Sequence, residues 1–325
     1  MNDTLFQFLD CHSTPGDEAE VRDLLNVRWR QAGCTVVPHG RYAISASMSD
    51  TDSDKPVLLI CAHMDSPGFI VEQVHDDSLV LIALGSPRPG NKPFQADLKT
   101  AARQQQVVLH RDDEENGPAR YVCEAVPGAA PGDRACYAPT RHISDGILHA
   151  PFIDNRFGCA LLVELADALG TLAELPVRVT LGATACEEMG GFGAPVLAHA
   201  IQPDGVICLD ATYECEEQNV LLGRGPVLTL SDASVLLSIR DREAIDAFFA
   251  NHGLPLQKEV YNISGTDAKA FPFAGLSAPV LSLLAATRGN HTPAEQVALA
   301  DTSTVLNALT ALVKDGARLF ERLCP

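Results

Sequence analysis

The sequence predicts an α/β protein with a central, mostly parallel sheet flanked by helices and a small β-domain inserted into the chain. Two segments, VRVTLGATA and GVICLD, are continuous apolar runs, which is typical of parallel strands buried on both faces. Segments with helical periodicity lie before and after them. Between residues 70 and 147 the pattern changes to short, partly alternating segments separated by Gly, Pro and Asn-Gly turns, which indicates a β-rich insertion.

Hydrophobic periodicity predicts the helices in chain order. Residues 17–31 form the first one, whose apolar stripe consists of Val21, Leu24, Leu25 and Trp29. Residues 156–169 and 241–250 form two more. Residues 301–323 form a last amphipathic helix, and Asp301 is its expected N-cap because a short acidic side chain accepts the free N–H groups of a first turn.

The predicted insertion divides the chain into two domains. Residues 1–69 and 148–325 together form the larger α/β domain, and residues 70–147 form the inserted β-domain. Within the insertion, Asn116-Gly117 is the expected tip of a hairpin, since this dipeptide favours the tight turns that join paired strands.

Composition excludes several classes of partner. The chain has 42 acidic and 24 basic residues and a formal charge of -18, so that both nucleic acid and anionic membranes would repel it. No apolar stretch approaches the roughly 20 residues needed to span a bilayer. The first residues are acidic and turn-forming rather than basic and apolar, which predicts a cytoplasmic protein. The ten cysteines are expected to be reduced, with Cys61, Cys186 and Cys208 in the core.

Possible metal ligands recur where buried strands end. Five segments supply two histidines and four acidic residues: His63, Asp154, Glu187, Glu188, Asp210 and His291. Imidazole and carboxylate ligands suit a pair of divalent ions such as zinc or cobalt. In an open α/β sheet, such strand ends meet at one crevice. The set therefore predicts a metal-dependent hydrolase.

Several residues of these segments have more than one possible role. Asp65, in the sequence His-Met-Asp, could hold the second ring nitrogen of His63 or support another ligand. Asp154 could cap a helix, or its two oxygens could bridge two ions. For the adjacent pair, the glycine-rich apolar setting favours Glu188 as a ligand and Glu187 as the general base. Four other histidines have no such neighbours and are expected to be solvated: His12, His75, His149 and His252.

The motifs in their order resemble the dinuclear metallo-aminopeptidases of the glutamyl-aminopeptidase and deblocking-aminopeptidase type, whose tetrahedral members are called TET peptidases. The resemblance extends over nearly the whole chain and includes CAHMDSPGFIV, APFIDNRFGCALLVEL, ACEEMGGFGA, ICLDAT, GRGP and RGNHTP. The family usually has Glu-Ile-Gly after its His-x-Asp, where this chain has Ser66-Pro67-Gly68.

The resemblance implies a zinc-peptidase-like fold with an inserted β-barrel or PDZ-like domain. It implies that His63 and Asp210 hold one metal, that Glu188 and His291 hold the other, and that Asp154 bridges them. Glu187 would be the base, Asp65 would lie behind the metal ligands and contact them, and Thr266 and Asp267 of the GTDA segment would contact substrate. The cofactors would be two divalent ions, zinc or else cobalt or manganese. The substrates would be peptides, and the protein would form homo-oligomers from dimers up to dodecamers.

Two other functions are compatible with parts of this pattern. A deacylase of N-acyl amino acids or a carboxypeptidase could use the same ligands, although those relatives usually carry their insertion later in the chain. A metal-free scaffold could keep the fold without the chemistry, but the ligand set here is intact. The metallo-aminopeptidase is the interpretation that accounts for both the ligands and the position of the insertion.

Overall fold

The computed structural model describes residues 2–48, 54–112, 119–172, 174–261 and 263–323. Its helices are α1 (Asn2–Leu9), α2 (Ala19–Gln31), α3 (Ile153–Leu169), α4 (Gly193–Ile201), α5 (Ile239–Asn251), α6 (Ala270–Phe273), α7 (Leu299–Asp315) and α8 (Ala317–Leu323). None of the helices within these ranges is both long and apolar enough to cross a membrane. The predicted hairpin tip at Asn116-Gly117 lies outside the described residues.

The strands fall into two groups. The larger sheet contains β1 (Thr35–His39), β2 (Ala43–Ser47), β3 (Val57–His63), β10 (His142–Ser144), β11 (Ile147–Ala150), β12 (Arg178–Thr184), β13 (Gly205–Tyr213), β14 (Val227–Ser231), β15 (Gln257–Val260), β16 (Val280–Arg288) and β17 (Glu295–Ala298). The barrel contains β4 (Gly68–Val74), β5 (Ser78–Leu84), β6 (Phe94–Lys99), β7 (Gln104–Asp112), β8 (Arg120–Glu124) and β9 (Arg134–Tyr137).

The centre of the large sheet is parallel, as predicted. Strands β12, β3, β13 and β16 are neighbours in that order and run in the same direction. All seven residues of β3 are buried, which explains its unbroken apolar sequence. Helix α3 packs against β3 and β13. The outer pairs β1–β2, β16–β17 and β17–β11 are antiparallel, whereas the short strands β14 and β15 are parallel to each other.

The inserted segment forms a closed six-stranded barrel, which confirms the expected β-barrel. Its strands extend from Gly68 to Tyr137 in antiparallel pairs, and β4 pairs with β9 to close it. The next two strands, β10 and β11, pair with each other, and β11 pairs with β17 of the large sheet. The strand pairing thus ends the barrel at Tyr137 rather than at residue 147. The division into two domains stays a prediction.

The prediction for the C-terminal helix was wrong in two respects. The segment forms two helices, α7 and α8, because the helical conformation is interrupted at Gly316. Asp301 is not the N-cap, which is Ala298. The buried Asp301 carboxylate instead accepts the N–H groups of Gly223 and Gly225, both at 2.7 Å, and so anchors a distant loop.

Two predictions about side-chain exposure had opposite outcomes. The three cysteines expected in the core are buried: Cys61, Cys186 and Cys208. His12, which was expected to be solvated, is also buried; its Nδ1 lies 3.8 Å from Asp17, whose carboxylate pairs with the barrel residue Lys99 at 2.9 Å. Burial lowers the pKa of His12 to about 4.

Candidate metal centre

The sheet opens where the predicted ligands lie. Strands β3 and β13 pair only as far as Cys61 and Cys208. Beyond that point His63 ends β3 and Asp210 lies in β13, so their side chains face each other across the gap, with His63 Nε2 3.3 Å from Asp210 Oδ1. The amide of Asn155 donates to the free carbonyl of Leu209 in this gap. The polar site therefore begins where the pairing of β3 with β13 ends.

The Asp154 carboxylate lies between the two imidazoles. Its Oδ1 is 3.2 Å from His63 Nε2, and its Oδ2 is 3.5 Å from His291 Nε2. Its side chain does not cap α3, whose N-cap residue is Phe152. His291 Nε2 is also 3.3 Å from Glu188 Oε1. One carboxylate thus faces two histidines with different oxygens, as a bridging ligand would.

The predicted ligands converge into overlapping donor groups. Atoms within 4.8 Å of one another come from His63, Asp154 and Asp210 in one group and from Asp154, Glu188 and His291 in another, and a third contains His63, Glu187 and Glu188. All six residues of these groups line one cavity. Imidazole nitrogens and carboxylate oxygens at this spacing fit two divalent cations, whose charge would offset the surplus of carboxylates.

Burial and mutual repulsion shift the pKa values at the site. Burial raises the pKa of Asp210 to about 7 and raises that of Glu188 as well, while the pKa of Glu187 rises well above its ordinary value. Burial would also raise the pKa of Asp154, but the two imidazoles outweigh it and lower that pKa. The pKa of His291 rises to about 12, because its acidic neighbours overcome the effect of burial.

Asp65 supports the glutamates more directly than it supports His63. Its two carboxylate oxygens accept the backbone N–H groups of Glu187 (3.0 Å) and Glu188 (3.1 Å). His63 Nδ1 lies 3.0 Å from the backbone carbonyl of Asp65 and 3.7 Å from its carboxylate. The carboxylate therefore holds the 3₁₀ turn Glu187–Met189, and the carbonyl orients the imidazole.

The two GTDA residues occupy different positions. Thr266 lines the cavity, and its hydroxyl accepts the N–H of Ala268. Asp267 is buried behind the cavity wall, where the hydroxyl of Thr184 donates to its carboxylate. Burial raises the pKa of Asp267 to about 6. Thr266 therefore lies on the cavity surface, whereas Asp267 is buried and does not line the cavity.

Sequence reasoning missed a buried carboxylate beneath the ligands. Glu295, at the start of β17, accepts the backbone N–H of His291 (2.7 Å) with one oxygen and that of Asp154 (2.9 Å) with the other. Burial raises its pKa to about 8. It lies four residues after His291 in the sequence HTPAE, where an acid before an apolar strand was the available signal.

The inserted barrel also contributes to the site, which the sequence did not indicate. The loop after β5 places the carbonyl of Ser86 3.1 Å from His291 Nδ1, so that Nε2 is left to face the carboxylates. The N–H of Arg88 and the hydroxyl of Tyr137 both donate to the carbonyl of His291. His291 itself adopts a left-handed backbone conformation, with φ 69°. Barrel residues therefore fix the last predicted ligand.

The chain is similar to known aminopeptidases in sequence. The model of the M42 glutamyl aminopeptidase family matches residues 124–307. The chain is 26% identical to the glutamyl aminopeptidase of Lactococcus lactis subsp. cremoris, with 87% of each chain covered. It is also 26% identical to the lysyl aminopeptidase of Pyrococcus furiosus, with 83% of each covered.

Solved structures share the fold. A TET aminopeptidase from the marine sediment archaeon Thaumarchaeota archaeon SCGC AB-539-E09 superposes with a TM-score of 0.89 at 20% identity, covering 99% of this chain and 98% of that one. The TET1 peptidase of Pyrococcus horikoshii gives a TM-score of 0.85 at 20% identity, covering 97% and 99%. With its family model matched over more than half its length, the chain belongs to the M42 glutamyl aminopeptidase family and is a peptide-bond hydrolase of the metal-dependent aminopeptidase class.

Proposed function

We propose that the protein removes N-terminal residues from peptides at a centre that holds two divalent cations. The observation that carries this proposal is the position of Asp154, which belongs to two donor groups and faces a different imidazole with each oxygen. In the proposed arrangement His63 and Asp210 hold one ion, and Glu188 and His291 hold the other. The donor set suits zinc, and cobalt or manganese would also fit it.

Glu187 is the proposed proton carrier. When bound, the two ions would polarise the substrate carbonyl and lower the pKa of the attacking water. The Glu187 carboxylate lines the same cavity as the proposed ligands, and burial raises its pKa well above the ordinary value, as suits a group that must both accept and donate a proton. It takes the proton of the attacking water and then donates it to the nitrogen of the leaving amine.

Neighbouring residues place Glu187 for this step. Asp65 holds the N–H groups of both glutamates, so we propose that it fixes the direction in which the Glu187 side chain leaves the turn. Thr266, on the cavity surface, is proposed to contact substrate. For Asp267, held by Thr184 behind the wall, the contacts favour support of that wall over direct contact.

The assembly and the role of the barrel are further parts of the proposal. The TET1 peptidase of Pyrococcus horikoshii is described as forming a tetrahedron or a large octahedral shell. We propose that this chain also forms a homo-oligomer and that residues 70–147 act as a separate domain, which shapes subunit contacts and the access of peptides. The contact of Ser86 with His291 supports a role of the insertion at the site.

Metal content and substrate class test the proposal together. The purified protein should contain about two divalent ions per chain and hydrolyse aminoacyl-p-nitroanilides, and chelation should abolish this activity until the ions are restored. N-acetyl amino acids and peptides with a blocked N-terminus should not be cleaved. Cleavage of N-acetyl amino acids alone would indicate a deacylase, and a protein that neither binds metal nor cleaves either class would be a scaffold.

A further inference from the structure

The turn that carries the two adjacent glutamates is held by its backbone N–H groups. Asp65 accepts those of Glu187 and Glu188. The N–H of Cys186, the residue before them, donates to Oε1 of Glu18 at 3.1 Å. Cys186 is the N-cap of the 3₁₀ turn and has a left-handed backbone conformation, with φ 58°, which is uncommon for a residue other than glycine. Glu18 therefore holds the residue at which this turn begins.

Glu18 does not have the local role that its position suggests. It is the N-cap residue of α2, but its side chain makes no capping hydrogen bond in that helix. Its Oε1 instead accepts the N–H of Gly16 (2.6 Å) and, besides the N–H of Cys186, the thiol of that residue (3.4 Å). The Glu18 side chain is buried, and a buried carboxylate needs such donors to offset the loss of water. The side chain thus links the start of α2 to a turn 168 residues later.

The position of the Glu187 carboxylate depends on its backbone more than that of Glu188 does. The Glu188 carboxylate lies 3.3 Å from His291 Nε2, and a bound ion would hold it further. The Glu187 carboxylate has charged neighbours, of which His63 is one, but it forms no hydrogen bond or ion pair with a residue in the described part of the chain. The direction of the Glu187 side chain therefore follows from the backbone of the turn, which Glu18 and Asp65 hold.

We propose that Glu18 is a positioning residue, which acts through the backbone of Cys186 to hold the Glu187 carboxylate in place for proton transfer. The inference rests on the aminopeptidase function proposed above. Glu18 does not line the cavity, so it has no contact with substrate. What the turn requires from it is an acceptor oxygen. Burial and then the nearby Asp65 carboxylate raise the pKa of Glu18, so glutamine, which keeps the oxygen without the charge, is the matched conservative replacement.

Two variants at this position separate the acceptor oxygen from the bulk of the side chain. Glu18→Met keeps a similar volume without the acceptor, and Glu18→Gln keeps the acceptor. At saturating metal, with an aminoacyl-p-nitroanilide that the wild type cleaves, Glu18→Met should lower kcat by about 10- to 100-fold, as for other groups that orient a functional side chain. KM should stay near the wild-type value, because Glu18 lies outside the cavity. Glu18→Gln should restore most of kcat, and Asp23→Asn, at an exposed position on α2, should change neither constant.

Metal content, measured on the same preparations, counts the intact sites. A partly misfolded variant would lose bound metal and kcat in the same proportion, so kcat is expressed per pair of bound ions. A wild-type value of this kcat in Glu18→Met, or a loss that Glu18→Gln does not restore, would overturn the role of Glu18 while leaving the aminopeptidase intact. Failure of the metal-loaded wild type to hydrolyse any aminoacyl-p-nitroanilide would reject the aminopeptidase function and the inference with it.

Discussion

At the scale of single residues, two adjacent glutamates have different neighbours, in line with the different roles proposed for them. Glu188 lies against His291, at 3.3 Å, whereas Glu187 joins the donor group around His63 and lines the cavity. Asp65 holds the backbone N–H groups of both. A single carboxylate thus holds the turn that carries both the proposed metal ligand and the proposed proton carrier.

The first prediction concerns Glu187. Glu187→Gln keeps the volume of the side chain but removes its ability to accept a proton. We therefore expect kcat to fall by about 10²- to 10⁴-fold, as for loss of a general base. Metal content, measured on the same preparation, should stay at the wild-type value. Glu321→Gln, on the exposed side of α8, is the control. Activity near the wild-type value in Glu187→Gln would contradict the proposed role.

The second prediction concerns Glu295, beneath the site. Its carboxylate holds the backbone N–H groups of Asp154 and His291, so Glu295→Gln turns one acceptor into a donor that faces an N–H group. Metal affinity should fall by about 10- to 100-fold, as for other groups that orient ligands. Competition with a chromogenic chelator measures this change. Unaltered affinity would show that the ligands hold their positions without Glu295.

At the scale of elements, loops and strands from distant parts of the chain are tied by single acidic side chains. Asp301 in α7 holds the loop at Gly223 and Gly225, whose left-handed φ angles of 79° and 84° favour glycine. The Cβ of a larger residue at Gly225 would lie 2.8 Å from Pro255. The helix, the loop and the strand that follows it therefore depend on one buried carboxylate.

The third prediction tests this anchor. Asp301→Ala would leave two backbone N–H groups without their acceptor, which should lower the free energy of unfolding by about 1–3 kcal/mol. Urea denaturation followed by circular dichroism measures the change. Ser303→Ala, an exposed position on the same helix, should change it by less than about 0.5 kcal/mol. Equal stability of both variants would mean that Asp301 is not an anchor.

Much at this scale could be predicted from the sequence. The unbroken apolar runs of β3, β12 and β13 indicated buried parallel strands, and the acids and histidines at their ends indicated the ligands. The tasks of Glu295 and Asp301 could not be predicted, because Asp154 becomes a neighbour of Glu295, and Gly223 a neighbour of Asp301, only in the folded chain. Periodicity likewise could not reveal the break at Gly316, since α8 continues the apolar pattern of α7.

At the scale of the whole molecule, the burial of His12 makes stability depend on pH. Burial, together with nearby Lys99, lowers its pKa to about 4 in the folded protein, whereas the unfolded chain has the ordinary value near 6.5. Between these values the unfolded state binds a proton that the folded state does not. His12 therefore does not reduce the free energy of unfolding above about pH 6.5, and it reduces this free energy increasingly as the pH falls towards 4.

The fourth prediction follows from this dependence. His12→Gln should reduce the loss of stability between pH 6.5 and 4.5, because glutamine does not titrate, and the difference should be at most about 3 kcal/mol. Melting temperatures of the wild type and the variant at several pH values measure it. His75→Gln, at an exposed position, is the control. Parallel pH profiles for wild type and His12→Gln would exclude His12 as the source.

The barrel follows the first proposed ligand, His63, almost directly in the chain, yet its loop contacts the last one, since the carbonyl of Ser86 faces the ring of His291. The hydroxyl of Tyr137, in the final barrel strand, donates to the backbone carbonyl of His291. A variant without the barrel is consequently not expected to be an active enzyme. His291, more than 150 residues after Tyr137, would lose the contacts that hold its ring and its backbone carbonyl, so its position depends on the barrel as well as on the large sheet.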